Sequence, residues 1–196
     1  MTRLAPIEPD TLQGELRAQF DAASPLQRSM MTPTAHAPEL MNALHHFAAE
    51  LGRLGTLPQR LIELLRLRVA FHNQCRSCMA MRYQTGLDAG MTEADVCSLE
   101  WPAEAPGLTP AEKSALAYAD LSAIDHLAID DTVFADLRQH YSEPEIVELG
   151  LYIGYFVGFG RLVAAWDLSE ELPGTGTQLP GRAAPWAVET FVVANS

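Results

Sequence analysis

The amino-acid sequence predicts a nearly all-α fold, and three observations support this fold class. Helix-start signals recur along the whole chain. The segment 58–72 is apolar on more than half of its circumference, which is typical of a helix at the centre of a bundle. Alternating strand patterns bounded by hairpin turns are almost absent.

Four segments place a hydroxyl-bearing residue three positions before an acid or amide, the sequence signature of a helix N-terminus. Three of them also carry proline in the first turn. The four segments are Thr56–Gln59, Thr92–Asp95, Thr109–Glu112 and Ser142–Glu145. Together with the apolar spacing they predict eight helices, with boundaries set to within ~2–4 residues. The predicted helices lie at about 10–21, 37–52, 58–72, 76–86, 92–99, 110–122, 131–140 and 144–166.

The helices are expected to form a single domain over residues 1–170, followed by a Pro/Gly-rich C-terminal arm over 171–196. Proline and glycine recur from Pro173 to Pro185, which predicts a loop. The following stretch, Trp186–Val193, is expected to be an extended arm that docks on this subunit or on a neighbouring one.

Composition and charge exclude several classes of protein. The 196 residues include 25 acidic and 13 basic side chains, whereas nucleic acids and anionic membrane surfaces require clustered lysine and arginine. The most apolar stretch, Ile146–Trp166, contains four glycines and Arg161 and predicts a buried helix rather than a membrane span. The N-terminus lacks the pattern of a secretory signal. We therefore expect a cytoplasmic protein that acts on a small molecule or a protein partner, with no nucleic-acid or membrane binding.

Two of the three cysteines form the motif Cys75-Arg-Ser-Cys78 in the first turn of a predicted helix. Three-residue spacing on a helix places both sulfurs on one face, close enough for a disulfide bond. The positive end of a helix lowers the pKa of a thiol, as redox-active pairs require. The motif therefore predicts redox chemistry rather than two buried apolar side chains. The third cysteine, Cys97, is expected in the core.

Glu63 and Arg82 lie equally far from the expected chain reversal at His72–Asn73, so antiparallel packing of the two helices would bring them together. Arg82 also follows Cys78 by four residues, which places both on the same helix face. A cation there would stabilise the Cys78 thiolate, and Glu63 would orient that cation. A purely structural ion pair between the two helices is the alternative interpretation.

At this point the sequence resembles the carboxymuconolactone decarboxylase superfamily, on its alkylhydroperoxidase D-like (AhpD-like) side. The segments that carry the resemblance are Glu63, Cys75-Arg-Ser-Cys78, Gly86–Asp95, Leu108–Ala119 and Gly158–Leu162. They extend over about residues 30–170, and the eleven-residue gap between the glutamate and the cysteine pair is the most specific part. The resemblance implies an AhpD-like helical bundle of about eight helices that assembles into homo-oligomers, such as dimers, trimers or hexamers.

The resemblance also implies a CxxC-dependent thiol oxidoreductase that reduces hydroperoxides or exchanges with a disulfide partner. A dithiol reductant would restore the thiols, and the resemblance also allows a peroxiredoxin-type partner. By position, Cys78 would be the thiolate that attacks peroxide, Cys75 the resolving thiol and Glu63 the carboxylate of a proton relay. No bound cofactor or metal ion is implied.

Two positions depart from the family's peroxidase motif, which has histidine inside the cysteine pair and four residues after it. This sequence has Ser77 and Arg82 there. Arginine stays protonated and cannot carry a proton, so the leaving alkoxide lacks its usual proton donor. His72, three residues before Cys75, is the candidate replacement. The predicted site residues are therefore Cys78, Cys75, Glu63, Arg82 and His72.

Three alternatives remain open on the sequence alone. A decarboxylase or isomerase of carboxymuconolactone-type ring-cleavage products would use Arg82 to clamp a substrate carboxylate through paired hydrogen bonds. A non-catalytic helical scaffold would keep the fold without the chemistry. A zinc site would need more than the one evident ligand pair, because structural zinc normally takes two. Its candidate ligands are His72, Cys75 and Cys78 with one of His45, His46 or His126.

Overall fold

The structure is a computed structural model that describes residues 2–23, 25–168 and 183–193. These residues form ten α-helices and two three-residue strands. The helices are α1 (Gly14–Ala22), α2 (Pro25–Thr34), α3 (Pro38–Leu54), α4 (Gln59–Asn73), α5 (Arg76–Ala80), α6 (Gln84–Asp88), α7 (Glu93–Ser98), α8 (Pro110–Ile124), α9 (Asp131–Leu137) and α10 (Glu143–Trp166). The strands are β1 (Met81–Tyr83) and β2 (Phe191–Val193), which pair in parallel.

The predicted helical fold class is confirmed, but two local features raise the number of helices from eight to ten. The sequence does not predict α2, because Pro33 interrupts the helical pattern; the structure accommodates this proline within the last turn of α2. The predicted helix 76–86 is divided, since Met81 adopts extended backbone angles of φ −73° and ψ 140°. Residues 81–83 pair with the C-terminal strand instead of continuing the helix.

The chain divides into two compact units. One comprises Met1–Gly55 and Leu162–Gly174, and the other comprises Thr56–Arg161 and Thr175–Ser196. The first unit has a small core of Leu12, Phe20 and Ala35. The second unit contains the cysteine pair and all the other predicted site residues. Residues 173–182 of the predicted C-terminal loop lie outside the described residues.

Helix α4 is the central element of the second unit, as its apolar circumference predicts. It contacts α5, α6, α7 and α8. Its fully buried apolar side chains are Leu64, Leu65, Leu67 and Val69. Two charged residues, Glu63 and Arg66, are buried on the same helix. Burying a charged side chain is costly unless it is paired with an opposite charge. Apolar packing alone therefore does not explain why Glu63 and Arg66 are buried on this helix.

Helix α10 differs from its prediction as a buried helix. Of the helices in the described part of the chain, it alone has the length and apolar composition to cross a membrane, a test that core helices of soluble proteins also pass. Only 33% of its apolar window is buried. Val147 and Leu151 are exposed, whereas Leu149 and Ile153 are buried. One face of α10 therefore packs in the core and another presents apolar side chains to solvent.

The predicted helix starts at Thr92 and Thr109 are confirmed as complete capping boxes. The backbone and hydroxyl of Ser142 both donate to Glu145, 2.7 Å away in each case, at the start of α10. The predicted start at Thr56 is wrong in detail. Helix α4 begins at Gln59, and Thr56 instead donates its backbone N–H to the carboxylate of Glu148, 2.9 Å away.

Arg60, in the first turn of α4, joins the starts of α7 and α8. Its guanidinium donates two hydrogen bonds to Asp95, at 2.7 and 2.8 Å, and one to Glu112, at 2.8 Å. These carboxylates are the acids of the two capping boxes, in which Asp95 accepts from Thr92 and Glu112 accepts from Thr109. One partly buried cation thus fixes the relative position of three helix N-termini within the second unit.

This cluster predicts a pH-dependent loss of stability in acid. Hydrogen bonds from Arg60 hold the pKa of Asp95 well below its usual 3.8, although partial burial opposes the shift. A depressed pKa stabilises the fold above the unfolded-state pKa, and that stabilisation is lost as the pH falls toward the folded-state pKa. We expect the difference in unfolding free energy between wild type and Asp95→Asn to shrink below about pH 4. Urea unfolding from about pH 7 down to about pH 2.5 measures it, and a constant difference would contradict the assignment.

Candidate functional site

The two cysteines of the CxxC motif are joined by a disulfide bond, with their Cα atoms 5.2 Å apart. The expectation that the pair lies close enough to bond is therefore confirmed. Cys75 is completely buried, whereas Cys78 is half-buried. Cys97 is an exposed free cysteine, so its prediction as a core residue is wrong. Of the bonded pair, Cys78 is the cysteine that an external molecule meets first.

Glu63 is paired with Arg66 on its own helix. The guanidinium of Arg66 donates from Nε to Glu63 Oε2 at 2.6 Å and from Nη2 to Oε1 at 2.7 Å. The backbone N–H of Tyr83 donates to Glu63 Oε1 at 3.0 Å. The Glu63 and Arg66 side chains are 3% and 8% exposed. Both oxygens of the Glu63 carboxylate are thus engaged in a buried, charge-assisted network.

Arg66 also reaches the end of the helix that carries the cysteines. It donates to the carbonyl oxygen of Cys78 at 2.6 Å and to that of Met81 at 2.7 Å, and its guanidinium lies 4.7 Å from the centroid of the Tyr83 ring. Burial alone would lower the pKa of Arg66, but the Glu63 carboxylate raises it above the usual value. Arg66 therefore keeps a permanent positive charge beside the backbone of Cys78.

The predicted pair between Glu63 and Arg82 is not formed. Arg82 is 1% exposed and binds Glu93 through Nε at 2.8 Å and Nη2 at 3.1 Å. Its remaining hydrogen bonds go to the carbonyl oxygens of Met79, Met81 and Pro185. The prediction failed because α5 ends at Ala80, so Arg82 lies on a strand rather than one helical turn beyond Cys78. These bonds also occupy the guanidinium that the lactone hypothesis assigned to a substrate carboxylate.

His72 lies in the last turn of α4 and is held from α8. Its Nε2 is 2.7 Å from Asp120 Oδ1, and Arg68 donates to both oxygens of the same carboxylate at 2.6 and 2.9 Å. Burial would raise the pKa of Asp120, but the hydrogen bonds from His72 and Arg68 outweigh it and lower that pKa. The contact with Asp120 fixes the position of one imidazole nitrogen. The role of His72 as a proton donor stays a prediction.

The C-terminal segment 183–193, here called the strap, lies against the residues on both sides of the cysteine pair. The side-chain amide of Gln74 exchanges two hydrogen bonds with the backbone of Ala183, at 3.1 and 3.0 Å. The ring centroids of Phe71 and Trp186 are 5.0 Å apart. Strand β2 pairs with β1, with Val192 opposite Arg82. The segment Trp186–Val193 was expected to dock on its own subunit or on a neighbouring one. In the structure it docks on its own subunit.

Residues 38–121 match the family model described as the carboxymuconolactone decarboxylase family. The matched segment contains the buried glutamate, the bonded cysteine pair and the capping boxes of α7 and α8. Over this segment the chain is similar to the carboxymuconolactone decarboxylase family.

Two relatives are similar to part of this chain. An uncharacterised protein of Mycobacterium tuberculosis is 34% identical over 117 residues, which cover 58% of this chain but only 40% of the relative. The uncharacterised Bacillus subtilis protein YdfG is 29% identical over 104 residues, covering 53% of this chain and 71% of YdfG. The chain therefore spans less than half the length of the mycobacterial relative.

Two crystal structures share the fold. A peroxidase-related protein of Ralstonia eutropha with an alkylhydroperoxidase AhpD core has a TM-score of 0.67 at 16% identity and covers 85% of this chain and 90% of its own. An Agrobacterium tumefaciens protein of unknown function, for which an AhpD role in antioxidant defence has been suggested, has a TM-score of 0.59 at 24% identity. It covers 68% of this chain and 91% of its own. The AhpD-like fold is thus established for this chain.

Sequence reasoning missed three residues that bind predicted site residues. Arg66 takes the place predicted for Arg82, and its three-residue spacing from Glu63 was an available signal. Glu93 binds Arg82, and Asp120 holds His72. No local pattern predicts the last two contacts, because they join residues 11 and 48 positions apart. Across residues 2–23, 25–168 and 183–193, no cluster of three or more metal-ligating side chains occurs.

Gly86, the last residue of the predicted helix 76–86, lies inside α6 and packs directly on Glu63. A Cβ atom at this position would come within 2.8 Å of both Cβ and Cγ of Glu63. We expect Gly86→Ala to displace the glutamate and to lower the free energy of unfolding by about 1–3 kcal/mol. Gly52→Ala is the control, because a Cβ there meets nothing within 4 Å. Urea unfolding of both variants measures the difference, and equal stabilities would contradict the close approach.

Proposed function

We propose that this protein is a CxxC-dependent thiol oxidoreductase that reduces hydroperoxides at Cys78. The observation that carries the proposal is the bonded pair itself, in which one cysteine is completely buried and the other is half-buried beside a buried arginine. A buried partner cysteine is protected from external oxidants, and a partly exposed one is able to meet them. The AhpD-like fold supports the same chemistry.

The reaction begins with the reduced pair. The Cys78 thiolate attacks the terminal oxygen of a hydroperoxide ROOH, the O–O bond breaks, and the alkoxide RO⁻ leaves and takes up a proton to give ROH. Cys78 is then a sulfenic acid. The Cys75 thiol attacks its sulfur, which forms the disulfide and releases water. A dithiol reductant supplies the two electrons that restore both thiols through a mixed disulfide. Exchange with a protein disulfide uses the same pair without the peroxide step.

The surrounding side chains have distinct roles in this scheme. Arg66 lies at the Cys78 carbonyl and favours the thiolate by its charge. Glu63 is a positioning residue, because its hydrogen bonds hold Arg66 rather than a mobile proton. Arg82 secures the end of the cysteine helix and the strap. His72 is the candidate donor of the proton that the leaving alkoxide requires.

The test uses the reduced protein and one equivalent of hydroperoxide. Mass spectrometry after alkylation of the remaining thiols locates the bond that forms. We expect rapid formation of the Cys75–Cys78 disulfide, while Cys97 stays free and serves as an internal reference for non-specific oxidation. If Cys97 oxidises as fast as the pair, or if no disulfide forms, the proposal is wrong.

We also propose that the protein is a homo-oligomer. The exposed apolar side chains Val147 and Leu151 on α10 support this, because soluble proteins normally cover such contiguous surfaces. Light scattering coupled to size-exclusion chromatography should give a mass of at least twice that of the chain. A mass equal to that of one chain would contradict the proposal.

A further inference from the structure

The strap is attached to both ends of the helix that carries the cysteines. Gln74, its first anchor, immediately precedes Cys75. Arg82, its second anchor, is the fourth residue after Cys78 and donates to the Pro185 carbonyl at 2.9 Å. Helix α5 between the anchors has five residues, a length of about 7.5 Å. A chain held at both anchors has to run alongside this helix.

Few residues of the strap are buried: Ala184 and Pro185 are buried, and its other residues are half-buried or exposed. Its described residues contact α4 and α7 through the turn Pro185–Ala187 and contact β1 through three paired residues. Trp186 is half-buried and packs against Phe71, whereas Val192 is exposed. Segments with few buried contacts open locally at a lower free energy than the core of a protein. The strap is therefore expected to open at a lower free energy than α4, whose central side chains are fully buried.

We propose that the strap determines which oxidants reach Cys78, by admitting small molecules while excluding bulky ones until it detaches. The biological meaning of this inference rests on the proposed function, because the two classes of oxidant that the strap would separate are small hydroperoxides and protein disulfides. Under this proposal a small molecule reaches the half-buried Cys78 while the strap is docked, whereas a folded protein partner reaches it only after the strap has detached.

Alkylation rates of the reduced protein test this claim without any turnover. Iodoacetamide is the small probe and a polyethylene-glycol maleimide is the bulky one, with mass spectrometry to assign the modified cysteine. Cys97 is exposed and reports the intrinsic reactivity of each probe in the same sample. For each probe, the alkylation rate at Cys78 is divided by the rate at Cys97. In the wild type we expect this ratio to be lower for the bulky probe than for the small probe.

Two variants weaken the strap at different anchors. Gln74→Asn shortens the side chain that reaches Ala183, and asparagine tolerates the left-handed backbone of this position, φ 53° and ψ 35°. Trp186→Ala removes the ring that packs on Phe71. Trp101→Ala is the matched control, because that tryptophan is exposed and outside the strap.

Both strap variants are expected to accelerate the bulky probe at Cys78 about tenfold, which corresponds to about 1.4 kcal/mol of docking free energy, with little change for the small probe. The Trp101→Ala control should match the wild type. Unchanged bulky-probe rates in both strap variants, or equal acceleration of both probes, would overturn the inference. Its failure is distinct from failure of the proposed function, because alkylation proceeds whether or not hydroperoxide oxidises the pair.

Discussion

Cys78→Ser is expected to lower hydroperoxide turnover by about a thousandfold or more, because the substitution removes the sulfur nucleophile on which every later step depends. Cys75→Ser should behave differently. It leaves Cys78 able to react once, so one equivalent of hydroperoxide is consumed and a sulfenic acid accumulates. Turnover of Cys78→Ser is measured with a dithiol reductant, and the single-equivalent reaction of Cys75→Ser is measured by stopped flow after the reductant has been removed.

The chain supplies its own control for this experiment. Cys97→Ser removes an exposed cysteine that is not part of the disulfide, so its turnover should equal that of the wild type. Wild-type turnover in Cys78→Ser would eliminate the dithiol mechanism. Loss of turnover in Cys97→Ser would instead assign the chemistry to the exposed cysteine.

Arg66→Met is expected to lower the free energy of unfolding by about 3–5 kcal/mol, because it leaves the Glu63 carboxylate buried without its cation. The double variant Glu63→Gln with Arg66→Met should recover most of this loss. It removes the buried charge and keeps an oxygen that accepts from the Tyr83 N–H. Urea unfolding at neutral pH measures the wild type and both variants.

A matched surface pair separates burial from charge pairing. Arg53 binds Glu50 with the same three-residue spacing, at 2.5 Å, but these side chains are 64% and 35% exposed. Arg53→Met should therefore change the stability little, because water replaces the lost partner. A similar loss of stability in Arg66→Met and Arg53→Met would contradict the importance of burial.

Several features of the fold and site could be predicted because they depend on short-range patterns. The capping boxes at Thr92 and Thr109 are three-residue signals, and both occur as complete boxes. The cysteine pair depends only on its spacing within one helical turn. The central position of α4 follows from its own apolar circumference.

The features that could not be predicted depend on partners far along the chain. Arg82 leaves the helix because residues 81–83 pair with residues 191–193, near the other end of the sequence. The expected Glu63–Arg82 contact assumed a continuous helix and failed at that point. Cys97 is exposed although it lies near apolar residues, because Val96 and Leu99 take the buried side of the short helix.

The position of Arg60 links the behaviour of two helices that are separate in the sequence. Its guanidinium holds the acids of both capping boxes, so the first turn of α7 and the first turn of α8 share one set of hydrogen bonds. Fraying of the first turn of one helix therefore weakens the hydrogen bonds that hold the first turn of the other helix. The two ends should therefore open together as one cooperative unit, with amide protons that exchange with solvent at matching rates.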